Sequence, residues 1–409
     1  VNAEAALPWR DEYLIEHFQR LTVLLQRHQA LWRPQAFQHP RLPWEPQFPE
    51  LAQMLRSLDV AHAEQLAECD LALTRQLEAF VPDAAALYAG CQLPALSATH
   101  VSLDLFEARA IPGRKWQQIK AFSARVPSTT APLVEWCAGK AHLGRLLART
   151  QQRSVAGLEW NAALVEAGRA LAQREKLPIH LYCADVLQAS SKKFIQRECD
   201  VMALHACGEL HMQLLRVCGE QQPQAITLAP CCYHLVAGTA CEALSAVALQ
   251  AELPLSLADL HTAVRDSVTS PQRIQRQRKT LQAWRLGFDI WQREVRGVDA
   301  YMATPSQPLS VLSAGFANFF RDLALSQGME APADLRYDDY EQVGWRRLRE
   351  VAALDLPRIL FRRALELWLI LDRALYLREH DYRVEVGTFC ERQLTPRNIV
   401  IRARRRADS

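Results

Sequence analysis

The fifteen residues from Leu133 to Leu147, LVEWCAGKAHLGRLL, constrain this chain more than any other stretch. A short apolar run rich in β-formers ends at Glu135 and turns through Cys137, Ala138 and Gly139. Helical spacing then begins at Leu143, Leu146 and Leu147. A strand, a tight turn and a helix start of this kind form the repeating unit of a parallel αβ sheet. The pattern recurs downstream. Strands are predicted at Leu133 to Cys137, Ser154 to Leu158 ending on Glu159, Ile179 to Cys183 followed by Asp185, Asp200 to Leu204 and Ala225 to Ala229. Five strands at regular intervals with helices between them predict a right-handed, doubly wound Rossmann-like sheet. A long amphipathic helix over 357–379 follows. Two further strands, Tyr382 to Phe389 and Ile399 to Ala403, are joined by residues 390–398, so they are expected to pair antiparallel at the end of a seven-stranded sheet.

The rest of the chain reads as helix. Leu14, Phe18, Leu21 and Leu25 recur at helical spacing, and Pro34, Pro40, Pro43, Pro46 and Pro49 separate them from a second helical stretch over 51–80. A chain of 409 residues favours two domains. The expected division is a helical N-terminal domain over 1–112, either a platform for a protein partner or a packing cap, and a second domain over 113–409. A mostly helical insert is expected at about 250–355, where Arg273, Arg276, Arg278, Lys279 and Arg285 precede or flank Trp284. This basic helix is either a solvated face or an RNA contact. The cluster Arg402 to Arg406 reads first as a solvated terminus.

A net charge of +3 is too small to identify a nucleic-acid protein, and 49% hydrophobic with 23% charged residues excludes the disordered classes. Eleven cysteines, an odd number, without a secretory signal at the start point to reduced thiols and a cytoplasmic setting. The apolar run Leu365 to Leu377 is interrupted by Glu366, Asp372 and Arg373, so no membrane span is expected.

In an open αβ sheet, ligands bind beyond the carboxyl ends of the strands. Every unusual residue group of this chain falls there. Small residues in the first turn admit a nucleotide-like ligand to the backbone and to the free N–H groups of a helix start. Glu135 ends the first strand. Glu159, one βαβ unit later, suits the two ribose hydroxyls of an adenosine, and Asp185 suits an adenine amino group. This arrangement fits S-adenosylmethionine. The bland alternatives are a ligand-free αβ unit and helix-capping carboxylates. The segments LHACGEL (204–210) and APCCYHL (229–235) should meet at the ends of neighbouring strands. Cys207, Cys231, Cys232 and His234 then admit three readings: a zinc site, nucleophilic or acid–base catalysis, and a packed wall of the pocket. Zinc is disfavoured, and no metal is expected, because no C-x-x-C is present and adjacent cysteines ligate one ion only under strain.

Four segments in this order carry a resemblance: Arg114-Lys115-Trp116-Gln117-Gln118-Ile119, the EWCAGKAHL turn, the HACG and PCCYH pair, and LILDR followed by TPRN at 395–398. With them the chain resembles the class I S-adenosylmethionine-dependent methyltransferases. More narrowly it is similar to the branch of the methyltransferase-like 25 proteins and the glutathione S-transferase C-terminal domain-containing protein. The resemblance implies that Glu135, Cys137, Gly139, Lys140 and His142 lie at the cofactor turn, with Glu159 on the ribose and Asp185 near the adenine. It also implies that His205, Cys207, Gly208 and the PCCYH residues line the methyl-transfer pocket, closed by Arg397 and Asn398. Against the usual D-x-G-x-G-x-G turn, Glu135 stands for Asp, Cys137 for the first Gly and Ala141 for the last.

Methyl transfer to a nucleophile on RNA (tRNA or rRNA), or on protein, is the activity expected. His234 is favoured over His205 as base, and a pyrimidine adduct through Cys231 or Cys232 is the covalent variant. The alternative is a scaffold that binds cofactor or partner without turnover, for which Cys137 and Ala141 speak. An oxidoreductase lacks its G-x-G-x-x-G.

Overall fold

The computed structural model describes residues 9–99, 111–238, 240–265 and 271–407. The part of the expected N-terminal helical region at 100–110 lies outside these residues. The chain divides into two compact units: Val1–Gln26, Ala89–Val264 and Arg363–Ser409 form one, and Arg27–Tyr88 with Arg265–Arg362 form the other. This is not the division at 112 read from the sequence.

The first unit holds the seven-stranded sheet. Its strands are β1 (Leu133–Trp136), β2 (Val155–Glu159), β3 (Ile179–Cys183), β4 (Asp200–Cys207), β5 (Ala225–Cys231), β6 (Tyr382–Thr388) and β7 (Ile399–Arg405). They lie in the order β3-β2-β1-β4-β5-β7-β6, the first five parallel and β7 antiparallel to both neighbours. The fold expected from the sequence is the one observed. β1 is buried along its whole length because helices cover a parallel sheet on both faces. Helices α1 (Gly113–Ser123), α2 (His142–Thr150), α3 (Ala162–Arg174) and α4 (Glu209–Gln221) make the crossovers or lead into them. Ile119 and Phe122 of α1 and Leu143, Leu146 and Leu147 of α2 share one core cluster with Leu133, Val155, Met202 and Val400 of the sheet.

β4 and β5 are longer than the sequence predicts. Their ladder runs past a bulge between Leu204 and Ala206 and ends with Cys207 opposite Cys231. The expected helix over 357–379 is also corrected. It is broken at Phe361 into Leu356–Leu360 and α5 (Arg362–Glu379), at the border of the two units. α5 is buried on nearly every side rather than amphipathic. Two of its buried acids have partners in the interior: Asp372 accepts from the backbone N–H groups of Leu244 and Ser245 at 3.0 and 2.8 Å, and Glu366 pairs with Arg363 at 2.6 Å. Among the described residues no helix is long and apolar enough to cross a membrane.

The helix Tyr13–Arg27 belongs to the sheet unit. Trp368 of α5 stacks on Phe18 at 5.1 Å and donates its indole N–H to Thr22 Oγ1 at 3.0 Å. Asp11 N donates to Val384 O of the outermost strand, and Ala95 bridges to Thr388. These segments cover an edge that would otherwise be open to pairing. The cluster Arg402 to Arg406 is no frayed terminus, since Arg402 to Arg405 lie in β7, where Arg402 pairs with Glu385 at 2.6 Å.

The second unit is helical. Its longest helices, Gln272–Arg296 and Tyr337–Leu354, cross closely at Gly344, where a methyl group would lie 2.1 Å from the Ala283 carbonyl oxygen. Trp284 is buried in an aromatic cluster with Phe316 and Phe319 and donates to Glu341. It is a core residue and offers no face to a nucleobase. Arg273, Arg276, Arg278 and Lys279 are exposed, and Lys279 pairs with Glu64.

Candidate active site at the carboxyl ends of the strands

The turn after β1 adopts a conformation that its sequence obscures. Cys137, Gly139 and Ala141 have φ of 58°, 58° and 52°. Two side-chain-bearing residues thus hold the left-handed backbone that glycine ordinarily supplies, at roughly 1–2 kcal/mol each. Strain of this order persists only where surrounding contacts over-determine it. Two buried acids brace the turn at Gly139 and the helix after it at Gly144. Glu159 Oε2 accepts from Gly139 N at 2.9 Å and its Oε1 from Asn161 N at 3.0 Å, while Glu135 Oε2 accepts from Gly144 N at 3.0 Å.

Gly144 is a residue that sequence reasoning missed. A Cβ there would lie 2.5 Å from Glu135 Oε2, so only glycine lets the carboxylate reach the helix backbone. Burial pushes the Glu135 pKa up to about 8 and the Cys137 thiol up to about 12, so both are protonated at neutral pH. Above Gly139 the space is open, with no atom within 4 Å of where a Cβ would stand.

The other predicted cofactor residues separate. Asp185 is exposed and caps a turn, accepting from Leu187 N at 3.0 Å. His142 Nδ1 lies 3.0 Å from the Arg145 guanidinium, which also pairs with Glu175, and burial lowers its pKa to about 4. Lys140 and His142 line a cleft of about 380 Å³ with Ala167, Ala170, Leu171 and Arg174.

At the ends of β4 and β5 the predicted residues do converge. His205 sits in the bulge with φ of 60°, its Nε2 3.0 Å from Gln118 Oε1, and burial lowers its pKa to about 4. Gln118 also donates to Leu394 O at 3.1 Å, so α1 links the end of β4 to the loop before β7. Its place in the RKWQQI segment was its only signal in the sequence. Cys207 Sγ lies 3.3 Å from Cys231 Sγ, and Cys232 Sγ completes a group of three within 4.8 Å. The neighbouring Cys207 and Cys231 thiols lower the pKa of Cys232. His234 stacks on His261 at 4.6 Å, and its Nδ1 is buried with no hydrogen-bond partner. Asn398 accepts from Arg363 at 3.2 Å, and Arg397 reaches Glu366 at 3.6 Å, at the same end of the sheet.

A comparison with curated proteins gives no match. Among solved structures, the chain is similar to a Pyrococcus abyssi tRNA (uracil-54, C5)-methyltransferase in complex with S-adenosyl-L-homocysteine, at 18% identity and a TM-score of 0.24. That match covers 28% of each chain. M. jannaschii TYW2 in complex with AdoMet is similar at 12% identity and a TM-score of 0.25, over 33% of this chain and 64% of that one. A precorrin-6y C5,15-methyltransferase from Geobacter metallireducens GS-15 is similar at 12% identity and a TM-score of 0.25, over 30% and 64%. The chain therefore spans less than two thirds of the length of these structures. Residues 114–239 match a family model described as a methyltransferase domain, and this segment contains the β1 turn, both buried acids and the whole Cys/His group.

Proposed function

We propose that the protein is an S-adenosylmethionine-dependent methyltransferase acting on RNA, in the branch of the methyltransferase-like 25 proteins. The observation that carries this reading is the β1 turn, with three left-handed residues, of which Gly139 donates its N–H to Glu159, while Glu135 accepts from Gly144 N in the helix that follows. The residues fit the cofactor. Gly139 leaves the approach open, and the Glu159 carboxylate uses one acceptor site of each oxygen, with further lone pairs left for ribose hydroxyls. When bound, S-adenosylmethionine supplies a methyl group on a sulfonium. The chain's own task is to hold an acceptor in line with it.

His234 is the base for an acceptor that must lose a proton, because His205 already engages Gln118. RNA is favoured as acceptor class by basic surface: a cleft of about 940 Å³ lined by Arg383, Arg404, Arg405 and Arg406 suits phosphate contacts at the amino end of the sheet, away from the methyl-transfer end. The exposed Arg273, Arg276 and Arg278 add to this. The helical N-terminal region is a platform for a protein partner, and eleven free cysteines suit a reducing, cytoplasmic setting.

The test is transfer of labelled methyl from S-adenosylmethionine into fractionated tRNA, rRNA and protein, alongside calorimetry. Label is expected in RNA and removed by nuclease. Glu159→Ala is expected to weaken cofactor binding roughly ten- to a hundredfold, the worth of hydrogen bonds to a charged group. His234→Ala should abolish transfer and keep binding. Cofactor binding without label in any fraction would leave a scaffold, and no binding at millimolar cofactor would remove the enzyme reading altogether.

A further inference from the structure

We propose that Cys207, Cys231 and Cys232 form a three-thiolate site for one zinc ion at the ends of β4 and β5. The sequence argued against it through the strain of ligating with adjacent cysteines. The structure already carries that strain: Cys232 stands at φ of 49°, which turns two consecutive side chains toward one point. The bulge at His205, also left-handed, brings Cys207 into register with Cys231. Both distortions bring sulfur atoms together.

The spacing fits the ion. Zinc–sulfur bonds of about 2.3 Å in a tetrahedron place ligand sulfurs about 3.8 Å apart. Here Cys207 and Cys231 are separated by 3.3 Å, and all three sulfurs lie within 4.8 Å of one another. An all-sulfur set selects a soft or borderline ion over magnesium or calcium. The cluster is fixed from behind. Gly208 N donates to Cys231 O at 3.0 Å, Glu209 N to Leu235 O at 2.8 Å, and Leu235 N to Cys232 O at 2.9 Å.

Three protein ligands leave the fourth position to water or to an acceptor group, as in catalytic rather than structural zinc sites. The unpartnered Nδ1 of His234, two residues after Cys232, is a group suited to hydrogen-bond such a ligand. Binding would release the thiol protons to solvent. The site neighbours the proposed methyl-transfer pocket, but its test does not depend on that activity.

The full chain, purified under a phosphine reductant and stripped with chelator, is loaded with zinc, desalted and assayed by elemental analysis. One equivalent per chain is expected. Cobalt in place of zinc should give thiolate charge-transfer bands and the intense visible bands of a tetrahedral ion. Cys207→Ser with Cys232→Ser is expected to lose the equivalent and the charge-transfer bands. Cys69→Ser with Cys183→Ser, at exposed positions away from the cluster, should keep both. Because the first pair could unfold the chain, circular dichroism accompanies it, and the wild-type cobalt spectrum stands without any variant. A reduced wild type that retains no zinc, a cobalt spectrum without thiolate bands, or equal retention by the Cys207/Cys232 variant would overturn the proposal.

Discussion

Alanine at position 208 is expected to destabilise the sheet unit by about 4 kcal/mol or more, which is exceptional for one methyl group. Gly208 joins β4 to α4 with φ of 50° and ψ of −121°, a region closed to residues with a Cβ. The added carbon would lie 2.0 Å from Leu235 O and 2.6 Å from Leu235 C, both backbone atoms that no rotamer change can move. Relief requires the 231–235 loop to leave Gly208. That movement breaks the Gly208 N to Cys231 O and Glu209 N to Leu235 O bonds and carries away Cys232 and His234. Urea unfolding of the variant measures the loss. A change under about 1 kcal/mol would mean that the loop yields freely, and that the Cys/His group is not held by this contact.

The second large effect is a pH dependence traced to Glu135. The residue is 5% exposed, and burial raises its pKa from 4.5 to about 8. Gly144 N and the nearby Lys115 oppose the shift, whereas Glu159 adds to it. The folded state therefore holds a proton that the unfolded chain gives up near pH 4.5. Stability from this group is fully present below about 4.5 and declines as pH rises towards 8, by up to about 1.4 kcal/mol per pH unit. Glu135→Gln keeps an acceptor for Gly144 N and cannot ionise. The variant should match wild type near pH 4.5 and exceed it increasingly towards pH 8. Parallel stability curves for the two proteins across that window would show that Glu135 is ionised in the fold.

Period and turn chemistry made the strands legible, because both are local. Leu133 to Trp136, Val155 to Glu159 and Ile179 to Cys183 lie where apolar runs meet small or acidic residues, and Glu159 and Glu135 were marked by position alone. Buried charge misled the reading of α5. Glu366 and Asp372 look like a solvent face, yet both are buried: Glu366 pairs with Arg363 one turn away on the same helix, and Asp372 accepts from Ser245 N, far away in sequence. Trp284 misled in the opposite sense, since a tryptophan beside arginines fits RNA stacking as well as it fits a core. The division into units was hidden for a related reason. Residues 27–88 are separated in sequence by the sheet from 265–362, with which they form one body.

What the sequence determined by itself is the sheet, the order of its acids and the arrival of His205, Cys207, Cys231, Cys232 and His234 at one edge. Alternation of period two and period 3.6 suffices for that. Only the tertiary structure decided that Cys137 and Ala141 keep the turn of a glycine, and that three sulfurs come within 4.8 Å of one another. Both outcomes rest on left-handed backbone at residues that disfavour it. No local preference encodes such a conformation; it is imposed by contacts with Glu159, Gly208 and the β4–β5 ladder.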